Sequence, residues 1–432
     1  MYLSQDRKTF HKPLHSRFGN TINMAHADSS NQMATGQGVF RLLDLPAEIT
    51  ERAAELCDPY DLLAFRRVSH EVASRIMRTY LATHFTYPGV LLSHGPSLQK
   101  LANICRHKHF GKTLKTVTFS TLEIPEMDDR LRTHSLANQP PTDWTGLDLE
   151  EQCKLVSQEW THKSFLETQR DYQSTSEGVD LLTTIFSRLK LLKHAVEIRI
   201  SHTTSPNPYA TCEKALEDAT GEQLLDTPHS ARPMSSIVQA VDRSGYSVHK
   251  LNMEYHYLAA FLADPADLMM LVFAERLFVS LGALVLDDIY NEIHMSIPQM
   301  CRMSWMSGAA QSLESLDLST FCGVANEDLQ NMPWPITHFL TTFTFPAVSW
   351  IRLHGFLLEL KAIIQFIAQN KTFKTVIIRK SRFLTEELDM YAVPKALSEH
   401  DEALSKILKE ETGLVTINVE DCRLQIREAV DR

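Results

Sequence analysis

Residues 42–85 read LLDLPAEITERAAELCDPYDLLAFRRVSHEVASRIMRTYLATHF and carry the strongest local signals in the chain. Apolar residues recur at helical spacing after Pro46, whose fixed φ angle and missing N–H suit the first turn of a helix. Asp58 followed by Pro59, and later Ser69, are helix-start signals that predict two further helices. The stretch therefore predicts three short amphipathic helices.

The third of these helices is predicted to present Val72, Ile76 and Tyr80 on one face. A unit of roughly 45 residues lies near the lower size limit for an independent core, so we expect a partner or a neighbouring domain to complete it. An ordinary amphipathic three-helix segment inside a larger helical domain would carry the same pattern. The sequence leaves that alternative open.

The order and spacing of several residues in this stretch resemble the F-box, the module by which substrate receptors of cullin–RING ubiquitin ligases bind their Skp-family adaptor. The resemblance rests on Leu45-Pro46-x-Glu48-Ile49, Leu56, Asp61-Leu62-Leu63 and Arg67-Val68-Ser69. Ala53 and Val72 depart from the large aliphatic and aromatic residues that the family favours, which lowers the expected apolar contact with the adaptor. The adaptor-binding residues that the resemblance implies are Leu45, Pro46, Ile49, Leu62, Leu63 and Val68.

Beyond residue 86 a strand-like pattern recurs, with apolar residues at positions 0, +3 and +5. The segments are Leu114-Val117-Phe119, Ala195-Ile198-Ile200, Val248-Leu251-Met253, Leu281-Leu284-Leu286, Leu313-Leu316-Leu318, Val348-Ile351-Leu353, Phe373-Val376-Ile378 and Leu414-Ile417-Val419. Such a strand with a returning helix resembles a leucine-rich repeat, in which each unit buries its face against the next. The Asn or Cys that normally ends the turn of a repeat is mostly missing. The resemblance is therefore to irregular repeats, and the same strands in an ordinary α/β sheet are an alternative.

The expected fold class is thus α/β, with an N-terminal three-helix F-box followed by an irregular leucine-rich-repeat solenoid. The predicted units are a disordered tail at 1–38, the F-box at 39–86 and the repeat-like domain at 87–432. Two proline-containing segments, at about 120–175 and 201–235, are expected to be insertions, and the first contains a polar helix predicted from about residue 149 to 173.

Composition limits the classes of function. Acidic residues exceed basic ones, 53 against 43, and no cluster of Lys and Arg suits a phosphate backbone, so we expect no nucleic-acid partner. The most apolar stretch, residues 257–286, is interrupted by charges, and the N-terminus lacks the apolar run of a secretory signal. Neither a membrane span nor secretion is expected. The 7 cysteines include no C-x-x-C pair, which is typical of reduced thiols in the cytoplasm or nucleus.

Motifs of catalysis are missing from the sequence. The chain contains no G-x-x-x-x-G-K-[ST], G-x-S-x-G or H-E-x-x-H motif, so we expect neither an enzyme nor a cofactor. Cys105, His107 and His109 have a metal-like spacing, but residues two apart on a helix face different ways and no fourth ligand is apparent, so no metal is expected. An active site assembled from residues distant in sequence would leave no motif and is an open alternative.

The later strands carry the candidate substrate-binding residues. Because side chains alternate across a strand, the residues between the buried ones form a row on the other face. That row includes Trp350, Arg352, His354 and Arg379, and interface hot spots favour Trp and Arg. The resemblance, which extends to a large fungal set of such proteins, implies a non-catalytic receptor that binds a Skp-family adaptor, and through it a cullin–RING ligase, and holds an unidentified protein substrate. A scaffold that never meets an adaptor is the alternative.

Overall fold

The structure is a computed structural model of the chain. It describes residues 44–124, 148–192, 194–202, 216–217, 219–220, 224–225, 230–263, 268–287, 289, 310–320, 345–385, 400–414 and 416–426. The chain divides into two compact units, Met1–Pro46 and Ala47–Arg432. Every helix and strand named below belongs to the second unit.

Helices and strands alternate through most of the described chain. The helices are α1 (Ala47–Leu56), α2 (Pro59–Arg66), α3 (His70–Arg75), α4 (Met77–Phe85), α5 (Gly95–Arg106), α6 (Leu149–Ser174), α7 (Glu177–Lys190), α8 (Arg232–Ser244), α9 (Tyr255–Ala263), α10 (Leu268–Val279), α11 (Leu360–Gln369) and α12 (His400–Thr412). The strands are β1 (Gly89–Leu91), β2 (Thr116–Ser120), β3 (Glu197–Ser201), β4 (Lys250–Glu254), β5 (Ala283–Asp287), β6 (Ser315–Ser319), β7 (Trp350–His354), β8 (Leu357–Glu359), β9 (Thr375–Arg379), β10 (Arg382–Thr385), β11 (Thr416–Glu420) and β12 (Arg423–Ile426).

The strands form two parallel sheets. Among the described residues, the large sheet has 9 strands in the order β1-β2-β3-β4-β5-β6-β7-β9-β11, and the small sheet has 3 in the order β12-β10-β8. Every pairing within both sheets is parallel. Parallel neighbours need a crossover, usually a helix, and α5, α7, α8, α10, α11 and α12 supply such crossovers here.

The core lies on one face of the large sheet. The inward side chains of the strands are each at most 7% exposed; they are Val117, Phe119, Ile198, Ile200, Leu251, Met253, Leu284, Leu286, Leu316, Leu318, Ile351, Leu353, Val376, Ile378, Ile417 and Val419. They form one apolar cluster with the buried sides of the crossover helices, such as Phe186 on α7 and Val241 on α8. The outward side chains are mostly polar and many of them remain partly exposed. Purely parallel sheets usually have both faces covered, so this polar face is the natural place to look for a binding surface.

This architecture corrects the predicted fold. The prediction of a three-helix F-box followed by an irregular leucine-rich-repeat solenoid is wrong, because the strands join into one large parallel sheet with crossover helices, which is an α/β fold. The eight predicted segments are strands, β2 to β7, β9 and β11, and bury their +3 and +5 residues. That pattern reports only alternate burial, which a solenoid and an ordinary α/β sheet share.

The N-terminal helices also differ from the prediction, because there are four of them. The two predicted caps are confirmed: Asp58 Oδ1 accepts a hydrogen bond from Asp61 N at 2.9 Å, and Ser69 Oγ accepts one from Val72 N at 3.1 Å. The predicted third helix is interrupted at Ile76, where ψ is 5° and α3 gives way to α4. Val72, Ile76 and Tyr80 are all buried, so the predicted apolar face is packed although the helix is interrupted.

Helix α4 joins the sheet directly. The Phe85 ring stacks on Phe110, with centroids 4.3 Å apart and an interplanar angle of 13°. The carbonyl of Thr86 accepts hydrogen bonds from the backbone of Lys115 at 2.9 Å and of Thr116 at 3.3 Å. The helices therefore pack as part of the same unit as the sheet.

The predicted polar helix from about residue 149 to 173 is confirmed as α6, Leu149–Ser174. The predicted disordered tail at 1–38 and most of the predicted insertion at 201–235 lie outside the described residues. Within the part of the chain that the structure describes, no helix is long and apolar enough to cross a membrane.

Candidate functional site

The first candidate surface is apolar and lies on the N-terminal helices. Ile49 is 50% exposed, Leu56 is 78% exposed and Val68 is 65% exposed. Ile49 and Leu56 are seven residues apart on α1 and so share one side of that helix, whereas Val68 lies in the turn between α2 and α3. Together they are called the exposed apolar residues below. Large apolar side chains exposed in this way are typical of interaction surfaces when they occur together.

The predicted adaptor-binding residues fall into three groups. Ile49 and Val68 are exposed, as a contact requires. Leu62 is only 1% exposed and Leu63 is half-buried, so Leu62 serves the packing of the helices and offers no surface to a partner. Leu45 is half-buried and Pro46 is exposed, and both belong to the first compact unit. Leu56, which the sequence did not single out for adaptor binding, is the most exposed of the apolar residues on these helices.

The second candidate surface is the polar face of the large sheet. The structure brings the four predicted substrate-binding residues together on it: Trp350, Arg352 and His354 lie on β7, and the strand register places His354 beside Arg379 on β9. All four side chains are partly exposed. The alternation read from the sequence therefore placed these residues on one surface.

Arg352 is not free to meet a ligand. Its Nε donates a hydrogen bond to Asp317 Oδ1 at 2.8 Å, and its Nη2 donates one to Asp317 Oδ2, which makes a two-point ion pair between β7 and β6. Burial raises the pKa of Asp317 above its ordinary value, although the Arg352 guanidinium acts in the opposite direction. Arg352 therefore opposes the effect of burial on the pKa of Asp317.

Arg379 is paired in the same manner. Its Nη2 donates to Glu420 Oε1 at 3.2 Å, its Nε lies 2.7 Å from Glu420 Oε2, and Asn418 Nδ2 donates to Oε1 at 2.6 Å. The hydrogen bond from Arg379 is the largest cause that lowers the pKa of Glu420. Burial, together with Lys380 and Arg352, lowers the pKa of His354 below its ordinary value, which favours the neutral ring. The predicted basic group is therefore balanced by acidic neighbours.

The same pairing continues toward the first strands. Lys250 Nζ lies 2.7 Å from Glu197 Oε2, between β4 and β3, and Ser319 Oγ donates to Asp287 Oδ1 at 2.8 Å, between β6 and β5. The polar face is consequently a ladder of interstrand pairs with little unbalanced charge. Such a face suits a polar partner surface better than a small charged ligand.

A group of polar side chains around one buried carboxylate, called the acidic cluster below, lies where β3 and β4 end and was missed by sequence reasoning. Glu254 accepts hydrogen bonds from Ser201 Oγ at 2.5 Å and from His202 N at 3.2 Å, and its other oxygen contacts His202 Nδ1. His256 Nε2 lies 3.6 Å from the same carboxylate. The contacts of Glu254 with Ser201 and His202 join residues 53 and 52 positions apart, and the only signal in the sequence was the place of Glu254 at a strand end.

The acidic cluster does not have the arrangement of a nucleophilic site. Ser201 donates to a carboxylate and is buried, whereas an activated serine needs contact with a general base that can take its proton and needs access to substrate. The geometry is that of a buried carboxylate held by three donors. It stabilises the carboxyl edge of the sheet.

Metal and thiol chemistry find no support among the described residues. No group of three or more His, Cys, Asp or Glu side chains in those ranges is placed to hold a metal ion. Cys105 is buried in the core while His107 and His109 are exposed, so this spacing does not converge. Cys57 Sγ donates to Ala53 O at 3.2 Å, and partial burial is the largest cause that raises its pKa, which makes it a poor nucleophile.

Comparison with known proteins gives no family for the chain. No protein-family model matches it, and no curated protein sequence matches it.

Proposed function

We propose that the chain is a non-catalytic substrate receptor of an SCF-type E3 ubiquitin ligase. In this proposal residues 39–86 bind a Skp-family adaptor, and through it a cullin–RING ligase, while the sheet binds a target protein. The observation that supports it best is the exposure of Ile49 and Val68, two of the residues that the F-box resemblance implies for adaptor contact. Packing of these side chains inside the chain would have favoured a purely structural role for the helices.

Apolar contact would supply the affinity for the adaptor. Each Å² of apolar surface removed from water contributes about 25 cal/mol, so full burial of one such side chain contributes on the order of 1.5–3 kcal/mol. The partner we propose for the helices is an apolar groove, into which amphipathic helices commonly dock. Ubiquitin transfer to the target by other subunits would then follow from proximity, because the receptor holds the target near them.

The polar face of the sheet is the proposed target-binding surface. Trp350 offers partly exposed aromatic area beside the Arg352–Asp317 and Arg379–Glu420 pairs. A target that brings complementary polar groups could exchange hydrogen bonds with these pairs, and the aromatic ring would anchor it. We place the receptor in the cytoplasm or nucleus, where reduced cysteines are the rule; Cys57, Cys105, Cys153 and Cys422 are free thiols.

A second function is a scaffold that binds partners independently of a ubiquitin ligase. The observation that favours it is the joining of α4 to the sheet through the Phe85–Phe110 stack and the Thr86 carbonyl. In that function the N-terminal helices cover the first strands and meet no adaptor. The two proposals differ in whether the exposed apolar residues have a partner.

The test is a binding measurement between the full-length chain and a purified Skp-family adaptor, by pull-down and by calorimetry. The variant is Ile49→Glu combined with Val68→Glu, which changes exposed positions and leaves the packing of the helices intact. The matched control is Leu149→Glu, an exposed leucine on α6. We expect the wild type and the control to bind equally and the double variant to bind at least about 100-fold more weakly.

Two results would contradict the receptor proposal in different ways. If the wild-type chain captures no adaptor, the adaptor part is wrong and the scaffold function takes its place. If the double variant binds as tightly as the wild type, the exposed apolar residues are not the contact surface.

A further inference from the structure

A cavity of about 390 Å³ lies at the carboxyl edge of β1 and β2. Ser93 and Thr121 line it just beyond the ends of these strands, and Tyr172 and Gln173 line it from the end of α6. Gly178 and Arg232 line it from the first turns of α7 and α8. Parallel sheets bind ligands at this edge, and the volume falls in the range of small-molecule pockets.

Tyr172 occupies a special place beside the cavity. Its ring lies between the first turns of α5 and α7, close to a glycine in each. A Cβ atom added at Gly95 would lie 3.4 Å from the ring, and one added at Gly178 would lie 2.9 Å from the hydroxyl oxygen. Tyr172 is 8% exposed, and its hydroxyl has no hydrogen-bond partner among the described residues. Burial, assisted by Glu177, raises its pKa, so the hydroxyl keeps its proton and is a donor.

A second buried donor next to it has no partner either. Gln173 Nε2 is buried and makes no hydrogen bond to any described atom. Buried polar groups are nearly always satisfied in folded proteins, so two unsatisfied groups lining one cavity indicate an occupant that supplies acceptors. Water could fill part of this role, but the helix N-termini that line the cavity favour a group with negative charge.

The cavity lining offers hydrogen-bond donors without a net charge of its own. Arg232 Nη1 lies 3.9 Å from Glu123 Oε1, so the one carboxylate in the lining is offset by the one guanidinium. Asp180, in the first turn of α7, accepts a hydrogen bond from Arg243 Nη1 at 3.0 Å, so its charge is also paired. What remains are the two unsatisfied donors and the N-terminal ends of α7 and α8, which carry partial positive charge.

We propose that this cavity binds a small molecule through an anionic oxygen group, a carboxylate or a phosphate. Tyr172 and Gln173 donate hydrogen bonds to that group, Arg232 shares its guanidinium between Glu123 and that group, and Gly178 leaves the space that the first turn of α7 needs to approach it. The proposal stands apart from the receptor function, because it uses none of the exposed apolar residues and none of the polar face between β6 and β11.

The test uses the full-length chain and three probes of nearly equal size: glycerol 3-phosphate, glycerate and glycerol. Binding is measured by calorimetry and by the shift in melting temperature at millimolar probe. The variants are Tyr172→Phe and Arg232→Gln. The matched control is Tyr246→Phe, because Tyr246 is also 8% exposed but donates its hydroxyl to Val196 O at 3.4 Å, away from the cavity.

We expect one or both anions to bind the wild type and glycerol not to bind. Tyr172→Phe and Arg232→Gln should each weaken that binding about ten-fold or more, while Tyr246→Phe leaves it unchanged. Without a probe, Tyr172→Phe should melt at or above the wild-type temperature, since it removes an unsatisfied hydroxyl, which also shows that the variant is folded. The anion that binds with the higher affinity identifies the group as a carboxylate or a phosphate. Absence of binding by both anions, or unchanged affinity in both cavity variants, would overturn the proposal.

Discussion

Arg352 on β7 and Asp317 on β6 form a two-point ion pair across neighbouring strands, with Nε donating to Oδ1 at 2.8 Å and Nη2 donating to Oδ2. The register that sets Arg352 opposite Asp317 also sets His354 opposite Arg379, which itself pairs with Glu420. The cations predicted to contact a substrate are therefore neutralised within the sheet. A partner that binds this face would meet a charge-balanced surface.

The variant Arg352→Gln is expected to lower the free energy of unfolding by about 2 kcal/mol. It leaves the buried Asp317 carboxylate without its cation, and we take a value below that of a fully buried pair because Arg352 is itself partly exposed. Urea unfolding at neutral pH measures the change. The double variant Arg352→Gln with Asp317→Asn is the control and should recover much of the loss. An unchanged urea midpoint in the single variant would show that the pair adds no stability.

The loss of stability in Arg352→Gln should also depend on pH. Burial raises the pKa of Asp317, and the Arg352 guanidinium opposes that rise, so the pKa of Asp317 rises further in the variant. A carboxyl with a raised folded-state pKa binds its proton more tightly when folded, and stability is then lost as pH rises from the unfolded pKa of about 3.9 through the folded pKa. The variant should therefore be closest to the wild type in stability near pH about 4 and further from it at about 7. Urea titrations at several pH values measure the difference, which would be constant if Asp317 were not involved.

His354 is expected to make the chain less stable in mild acid. Burial and the nearby cations Lys380 and Arg352 lower its pKa, so the unfolded chain takes up a proton at this position at higher pH than the folded chain does. Stability is then lost as pH falls from the unfolded pKa of about 6.5 toward the folded pKa. His354→Gln should flatten the pH dependence of the urea midpoint in this range, and the exposed His109→Gln is the control variant. Equal effects of the two variants would exclude a special role for His354.

Two leucines on the N-terminal helices separate packing from surface contact. Leu62 on α2 is buried and Leu56 on α1 is exposed. Leu62→Ala should lower the free energy of unfolding by about 2–4 kcal/mol because it leaves a cavity, whereas Leu56→Ala should change it by less than about 0.5 kcal/mol. Chemical denaturation of both variants provides the comparison. Similar losses in the two variants would mean that Leu56 is also packed.

The sequence predicted the strands of the large sheet better than it predicted their arrangement. Alternation of apolar residues located eight strands, because one face of each is buried, but it carried no information on whether neighbouring units stack as repeats or join an ordinary sheet. The strands β1 and β8 have 3 residues each, which is too short for alternation to be recognised. The break at Ile76 was missed because Val72, Ile76 and Tyr80 keep the spacing of one continuous helix and are all buried.

The candidate sites show the same limit. Trp350, Arg352, His354 and Arg379 were placed on one face from alternation alone, but their pairing with carboxylates needed the register of β6, β7, β9 and β11. The unsatisfied Tyr172 hydroxyl was beyond the reach of any motif, since it follows from how α5, α6 and α7 meet. Contacts between distant segments decide these features, and local patterns do not encode them.

Three strands of the large sheet end in the same kind of turn. The residues Gly355, Lys380 and Asp421 follow β7, β9 and β11 with φ angles of 83°, 49° and 56°, and each turn leads into a strand of the small sheet. The N–H of Gly355 donates to the carbonyl of Arg379, and the N–H of Lys380 donates to the carbonyl of Glu420, both at 2.9 Å. Each turn thus uses a carbonyl of the next strand in the sheet.

Asp421 follows β11, which is the edge strand of the large sheet as described, so its turn has no carbonyl of a next strand to bind. The carboxylate of Asp401 takes the place of that carbonyl. It accepts hydrogen bonds from Asp421 N at 2.8 Å and from Cys422 N at 2.7 Å. Asp401→Ala should leave these two N–H groups without partners and lower the free energy of unfolding by about 1–3 kcal/mol. Amide hydrogen exchange should accelerate in β11 and β12 but not in β2 and β3, and the exposed neighbour Glu402→Ala should behave like the wild type. If Asp401→Ala leaves exchange in β11 and β12 unchanged, the carboxylate does not hold the end of the sheet.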